Sequence, residues 1–279
     1  MVVVGDSWFM QLEDLMAQEG LTDLVINGSA GFALIDGTWQ PVNHGLELDE
    51  VAKLAIELCD RGGRHLDLAN PFADVSVDGF RVHAVLAAGV STKPLISIRK
   101  HSARVFAVSE ELQEVVTSRK NFLVSGATGA GKTTLLRSML ARLGERVITI
   151  EDVAELAFEP PNFVSLVARQ ANVEGRGEFG VERLFREALR MRPDRLVLGE
   201  VRGAEFGLLL QALNTGHAGS AATLHANSLA AVPERLIGLG LIAGLAPETT
   251  IALAKTAIDV VIHLQGRNVQ VARLRELFD

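Results

Sequence analysis

Residues 126–133 read Gly126-Ala127-Thr128-Gly129-Ala130-Gly131-Lys132-Thr133, with Thr134 directly behind. This is a complete G-x-x-x-x-G-K-[ST] run, and its chemistry is phosphate binding. The glycines let the backbone turn tightly, and successive N–H groups together with a helix N-terminus converge on one anionic ligand. Lys132 is spaced to reach β- and γ-phosphates, and the Thr133 hydroxyl suits Mg²⁺. All of residues 126–134 are therefore expected to bind nucleotide, with ATP and Mg²⁺ as the cofactors.

Other polar residues follow short apolar runs. Glu151 and Asp152 come after Val147-Ile-Thr-Ile150, Glu200 after Leu196-Val-Leu-Gly199, and His225 after Ala221-Ala-Thr-Leu224. If those runs are strands of one parallel sheet, all these side chains gather at its carboxyl edge, where open α/β sheets bind ligands. Glu200 stands where a Walker B acid belongs, able to hold Mg²⁺ directly or through water, or to orient the attacking water. Glu151 can polarise that water or second the metal; which glutamate is the general base is left open. His217 and His225 frame the segment 215–227, where an imidazole close to the γ-phosphate can sense nucleotide state. An arginine on the departing phosphate contributes on the order of 10³–10⁵ in rate. Arg81, Arg99, Arg169, Arg176, Arg190, Arg192 and Arg202 are all candidates on sequence.

The elements that must position these groups are legible too. Apolar runs at 122–125, 147–151, 163–167, 196–199 and 221–224 alternate with helical patterns near 132–143, 181–191 and 204–214. Such alternation predicts an α/β domain with a mostly parallel sheet and helices on both sides. The first hundred residues differ. A stripe of Val51, Leu54, Ala55, Leu58 and Cys59 predicts a helix stopped by Gly62-Gly63, and 73–77 and 80–85 alternate across Asp78-Gly79 as a hairpin. With a strand at 95–99, this reads as a smaller α+β domain. A joint spans 100–120, with Ser109 capping a short helix whose first turn holds Glu110 and Glu111 and whose far end holds Arg119 and Lys120. The expected domains are 1–103 and 104–279.

Composition narrows the function classes. The 279 residues are 48% hydrophobic and 22% charged, with net charge −7 and pI about 5.6. That balance supplies no global basic field for nucleic acid. Cys59 is the one cysteine, which rules out an intramolecular disulfide and suits a reducing compartment; on its apolar stripe it reads as a small buried hydrophobe. The first residues lack a signal-peptide pattern. Leu236–Ala246, the most apolar stretch, is too short to span a bilayer and reads as a core or subunit-contact helix. The expected location is the cytoplasm, without membrane insertion.

These motifs, in this order, resemble a known family. The loop at 126–133, Ile148–Leu156, Met191–Gly203 and the His217/His225 segment are similar to the Walker A, Asp box, Walker B and His box of type II/type IV secretion ATPases. Ala171–Glu178 and Leu213–His217 resemble the Tad/Flp pilus-assembly branch, the CpaF type. The likeness is strong over about 121–227 and weaker before it, where 22–28 and 96–100 are similar to the family's N-terminal domain. It implies a RecA-like P-loop ATPase domain, a cytoplasmic homohexameric ring peripheral to the inner membrane, and a pilus or secretion platform protein as partner. It also implies γ-phosphate contacts from Arg81 and Arg99. Two departures stand out: the four-cysteine metal loop of many type II secretion ATPases is absent, and the N-terminal region is short, as in a small member or a cut chain. Competing readings are a conjugation-type type IV secretion ATPase, a nucleotide-binding regulator with vestigial hydrolysis, and a small-molecule kinase.

Overall fold

The computed structural model describes residues 12, 14–100, 106–156, 158, 160–171, 176–266 and 268–278. The chain divides into two compact units, 1–103 together with 169–178, and 104–168 with 179–279. The 103/104 boundary expected from sequence lies outside the described residues, as do residues 172–175 of the Tad-like segment.

The first unit is an antiparallel six-stranded sheet. Strands β1 (Leu21–Asn27), β2 (Ala30–Ile35), β3 (Thr38–Val42), β4 (Phe72–Val77), β5 (Phe80–Val85) and β6 (Leu95–Lys100) lie in the order β3-β2-β1-β6-β5-β4. The hairpin at Asp78-Gly79 forms as the sequence predicts, with φ of 50° and 82°, the left-handed pair that a two-residue turn demands. Helix α1 (Leu48–Arg61) packs on β4, β5 and β6 with the predicted stripe inward. It begins one residue before Asp49, in a capping box in which Glu50 Oε2 accepts the Glu47 N–H at 2.7 Å. Burial pushes the Cys59 thiol up to about 12, so it is inert packing, as expected.

The second unit is a seven-stranded sheet. Its strands are β7 (Phe122–Gly126), β8 (Val147–Glu151), β9 (Phe163–Val167), β10 (Arg195–Leu198), β11 (Ala221–His225), β12 (Val260–Gln265) and β13 (Asn268–Arg273). The order is β13-β12-β7-β11-β10-β8-β9, parallel except for β13, which pairs antiparallel with β12. Helices α2 (Glu110–Thr117), α3 (Lys132–Leu140), α4 (Val181–Arg190), α5 (Glu205–Asn214), α6 (Val232–Ile242) and α7 (Pro247–Ala257) cover both faces. Alternation along the strands sorts the core. Phe122 and Val124 pack with Leu135, Leu136 and Met139 of α3, whereas Leu123 joins Phe206, Leu209 and Leu236 on the other side. This is the α/β architecture that the sequence predicts. Ser109 caps α2 by accepting the Leu112 N–H at 3.3 Å. Arg119 leaves the helix in a left-handed conformation (φ 52°) and donates to the Asp194 and Ala218 carbonyls instead of the helix end.

The edge of the sheet opposite the glycine loop is tied by a buried arginine. Arg195 opens β10 at 1% exposure, pairs with Glu145, and donates to the Gly219 and Val116 carbonyls at 3.1 and 3.0 Å. A guanidinium persists there because each face of its fork meets an acceptor. Among the described residues no single helix is long and apolar enough to cross a membrane. Leu236 and Leu239 of α6 are core, and Leu241 and Ile242 at its end are exposed.

Helices α6 and α7 meet at Gly240, where an added Cβ would overlap Thr250 Oγ1. Gly240→Ala is expected to cost about 1–3 kcal/mol in urea unfolding, the usual range for overpacking. In Gly240→Ala/Thr250→Ala the two costs should combine to less than their sum; simple additivity would mean that the clash is relieved elsewhere.

Candidate functional site

The glycine loop hangs from β7, an interior strand of the second sheet. Gly126, last residue of β7, has φ 152°, and a Cβ there would lie 2.7 Å from the Leu264 carbonyl oxygen. Gly129 and Gly131 take φ of 75° and 92°, the left-handed region that costs glycine little. Gly131 precedes α3, so the helix N-terminus faces the loop's concavity. Side chains would also crowd Gly131, since Phe106 lies 3.1 Å from where its Cβ would be. Phe106 is itself held by Ser138 Oγ, which accepts its N–H at 3.1 Å. Under the loop, Ser125 Oγ is 2.9 Å from Nδ1 of the buried His263 on β12.

Lys132 is 7% exposed, and its ammonium donates to the Gly126 carbonyl (3.1 Å), the Ala127 carbonyl (2.9 Å) and His225 Nδ1 (3.0 Å). Burial pulls its pKa down, opposed by the charges of Glu200 and Glu155. An ammonium can only donate, so His225 Nδ1 must accept and the ring proton sits on Nε2. Nε2 lies 2.7 Å from Glu200 Oε1, an ion-pair distance, and that oxygen is buried with no hydrogen-bond partner among the described residues. Burial lowers the His225 pKa, Glu200 opposes that shift, and the Lys132 and Arg202 cations add to it; the ring is neutral near pH 7. Glu200 Oε2 takes Arg202 Nη2. Register explains the assembly: His225 is the Cα partner of Gly126 across the β11–β7 ladder.

Glu151 closes β8 and is 3% exposed. Its Oε1 accepts the N–H groups of Glu155 and Leu156, both at 3.0 Å, and its Oε2 is buried with no hydrogen-bond partner. Desolvation raises its pKa to about 7 against the pull of those two N–H groups. A Cβ on Gly199 would come within 2.8 Å of the Glu151 Cγ, so β10 needs a glycine to admit this carboxyl group. Glu151 is thereby turned into the backbone rather than toward water. The turn it organises delivers another acid, for Thr133 Oγ1 donates to Glu155 Oε2 at 3.3 Å. Glu155 was not among the residues singled out from sequence. The available signal was its place four residues after a strand-end glutamate, opposite a loop threonine.

Of the residues expected at the site, Lys132, Thr133, Glu200 and His225 come together at one edge. His217 does not: it precedes β11, at the opposite end of a strand that finishes at His225, and its Nδ1 lies 3.2 Å from the Ala212 carbonyl. The two histidines flank the strand, not the loop. Arg81 and Arg99 belong to the first unit, face each other across β5 and β6, and pair with Asp74 (2.6 Å) and Asp23 (2.8 Å). Arg190 pairs with Glu187, and Arg202 is the candidate arginine found beside Glu200. The Thr133 hydroxyl, with the Glu155 and Glu200 carboxylates near the loop mouth, offers hard oxygens, which fits Mg²⁺, an ion that takes one or two protein oxygens and fills its shell with water and phosphate.

A family model described as type II/IV secretion system protein matches residues 91–270. A Mycobacterium tuberculosis (strain H37Rv) protein provisionally named for conjugal transfer is 40% identical over 296 aligned residues, covering 95% of this chain and 82% of the relative. The type IV secretion system protein VirB11 of Bartonella quintana is 40% identical over 127 residues, 45% of this chain and 35% of its own. Among solved structures, the pilus retraction motor PilT with bound ADP matches with TM-score 0.67 at 22% identity, over 96% of this chain and 82% of that one; at that identity the likeness speaks for the fold. With more than half of the chain matched by the family model and nearly all of it aligned to a relative at 40% identity, the chain belongs to the type II/IV secretion ATPase family.

Proposed function

We propose that this chain is a Mg²⁺-dependent ATPase whose turnover drives movement of pilin or protein substrates at a bacterial inner membrane. The observation that carries it is the meeting of Lys132, Thr133, Glu155, Glu200 and His225 at the mouth of one glycine loop. The loop amides of 126–134 and Lys132 bind the phosphates. Thr133, and Glu200 directly or through water, would hold Mg²⁺, which would supply charge neutralisation on the phosphates. The attacking water is oriented by a carboxylate. Glu155 is best placed for that, since it stands beside Thr133 and is half-buried, whereas Glu151 spends its accessible oxygen on backbone N–H groups. Glu151 serves by shaping the 152–156 turn.

Residues 1–103 and 104–279 act as the two domains of each subunit in a homohexameric ring, with Arg81 and Arg99 as the first domain's contribution to the γ-phosphate. Those arginines carry carboxylate partners in this structure, so the role requires them to exchange partners. The Tad/Flp pilus branch is supported by the motif-level likeness. A second reading, a conjugation-type secretion ATPase, is favoured by the names of the Mycobacterium and Bartonella relatives. In either branch the expected setting is the cytoplasmic face of the inner membrane, with a platform protein as partner.

Steady-state ATP hydrolysis without any added acceptor is the basic test; turnover that required an acceptor would transfer the chain to the kinases. Glu200→Gln and Glu155→Gln should each lower kcat by about 10²–10⁴-fold, the usual worth of a positioned acid–base group, while retaining ATP. Normal turnover in either would strip that residue of its role. Glu151→Gln preserves the acceptor for the 155 and 156 N–H groups and should keep kcat within about tenfold of the parent, whereas Glu151→Ala should lose far more. Equal, large losses in both Glu151 variants would return the base to Glu151.

A further inference from the structure

Lys132 has three donors, and all three are committed: two to the Gly126 and Ala127 carbonyls and one to His225 Nδ1. A phosphate oxygen that takes this ammonium must therefore displace one of those acceptors. The two carbonyls are fixed by the backbone. The Gly126 carbonyl also receives the Ala226 N–H across the ladder at 3.4 Å, and the Ala127 carbonyl accepts the Ala130 N–H at 3.2 Å within the loop. His225 is different in kind. It is a partly exposed side chain that needs only a rotation to leave, and the Glu200 Oε1 that lies 2.7 Å from its Nε2 is buried without a hydrogen-bond partner, open to receive it.

We propose that His225 is a positioning residue that competes with the nucleotide for Lys132, so that the arriving phosphate takes the ammonium's third donor and hands the imidazole over to Glu200. The inference rests on the ATPase reading and deepens it. Its consequence runs against the usual expectation for a residue lining a binding site. Because the imidazole must be displaced, its presence weakens nucleotide binding, and that cost links phosphate arrival to the carboxylate that waits beside it. Glu200 already shares its other oxygen with Arg202, so a shift of His225 is felt by the acid and its arginine together.

The test uses the full chain and a fluorescent ADP with Mg²⁺, read as Kd by titration. His225→Ala removes the competing acceptor and should tighten Kd roughly tenfold, the worth of one hydrogen bond to a charged group. His225→Asn supplies an amide oxygen near the position of Nδ1 and should bind like the parent; His225→Gln reaches toward Glu200 but not Lys132 and should bind like His225→Ala. Unchanged or weaker binding in His225→Ala, or tightening in His225→Asn equal to that in His225→Ala, overturns the competition while leaving the ATPase reading intact. A parent that binds no ADP removes both.

Discussion

A lysine cation buried to 7% exposure is the constraint around which the second unit is organised. Taking an ammonium out of water costs several kcal/mol unless every donor finds an acceptor. Three acceptors on two different strands meet that demand. Gly126 and Ala127 supply carbonyls because β7 ends in a glycine that can take φ 152° against β12, and His225 arrives because β11 lies in register beside β7. The interior place of β7 in the sheet order, between β12 and β11, is what brings both walls to the loop. Neutral His225 is part of the same balance, since a protonated ring would set a second cation against Lys132.

The acids on the neighbouring strands are arranged by similar economy. Glu151 sits in a space that only a glycine at 199 leaves open, and its carboxylate is spent on shaping the turn after β8. That turn carries Glu155 to Thr133, so one buried acid places a second, more accessible one. Just past β10, Glu200 lies between an imidazole and a guanidinium. Lys132, His225, Glu200 and Arg202 thus form one line of polar contacts across the loop mouth. At the other sheet edge Arg195, Glu145 and Arg119 form a fixed base, where Asp194, Gly219 and Ala218 contribute backbone or side-chain oxygens.

Much of this was legible in the sequence, for identifiable reasons. The loop motif constrains backbone conformation directly, so its eight residues announce both geometry and ligand. The rule that parallel strands present their carboxyl ends together correctly drew Glu200 and His225 toward the loop. The same rule places Glu151 at that edge but says nothing about whether its carboxylate faces water or backbone, and here one oxygen accepts two backbone N–H groups. Glu155 was missed for the complementary reason: its location depends on a turn built by two hydrogen bonds to a distant side chain. His217 was drawn in by proximity to His225 in the motif, although it precedes the strand that His225 ends. The strands β12 and β13 were not foreseen, although Val260-Val261-Ile262 is a β-branched run; β12 takes its place by pairing with β7, and β13 by pairing with β12. The three N-terminal strands β1–β3 were likewise unread as separate elements; β1 joins the rest of the sheet through β6, some seventy residues away, and β2 and β3 follow it as a local meander.

The account stands on Lys132 and the surrounding amides gripping nucleotide phosphates. Isothermal titration of the folded chain with Mg·ATPγS measures that grip directly. A saturable heat that disappears in Lys132→Ala, with the fold of the variant preserved by circular dichroism, is the predicted result; a folded parent that gives no heat, or a Lys132→Ala variant that binds as tightly, contradicts it.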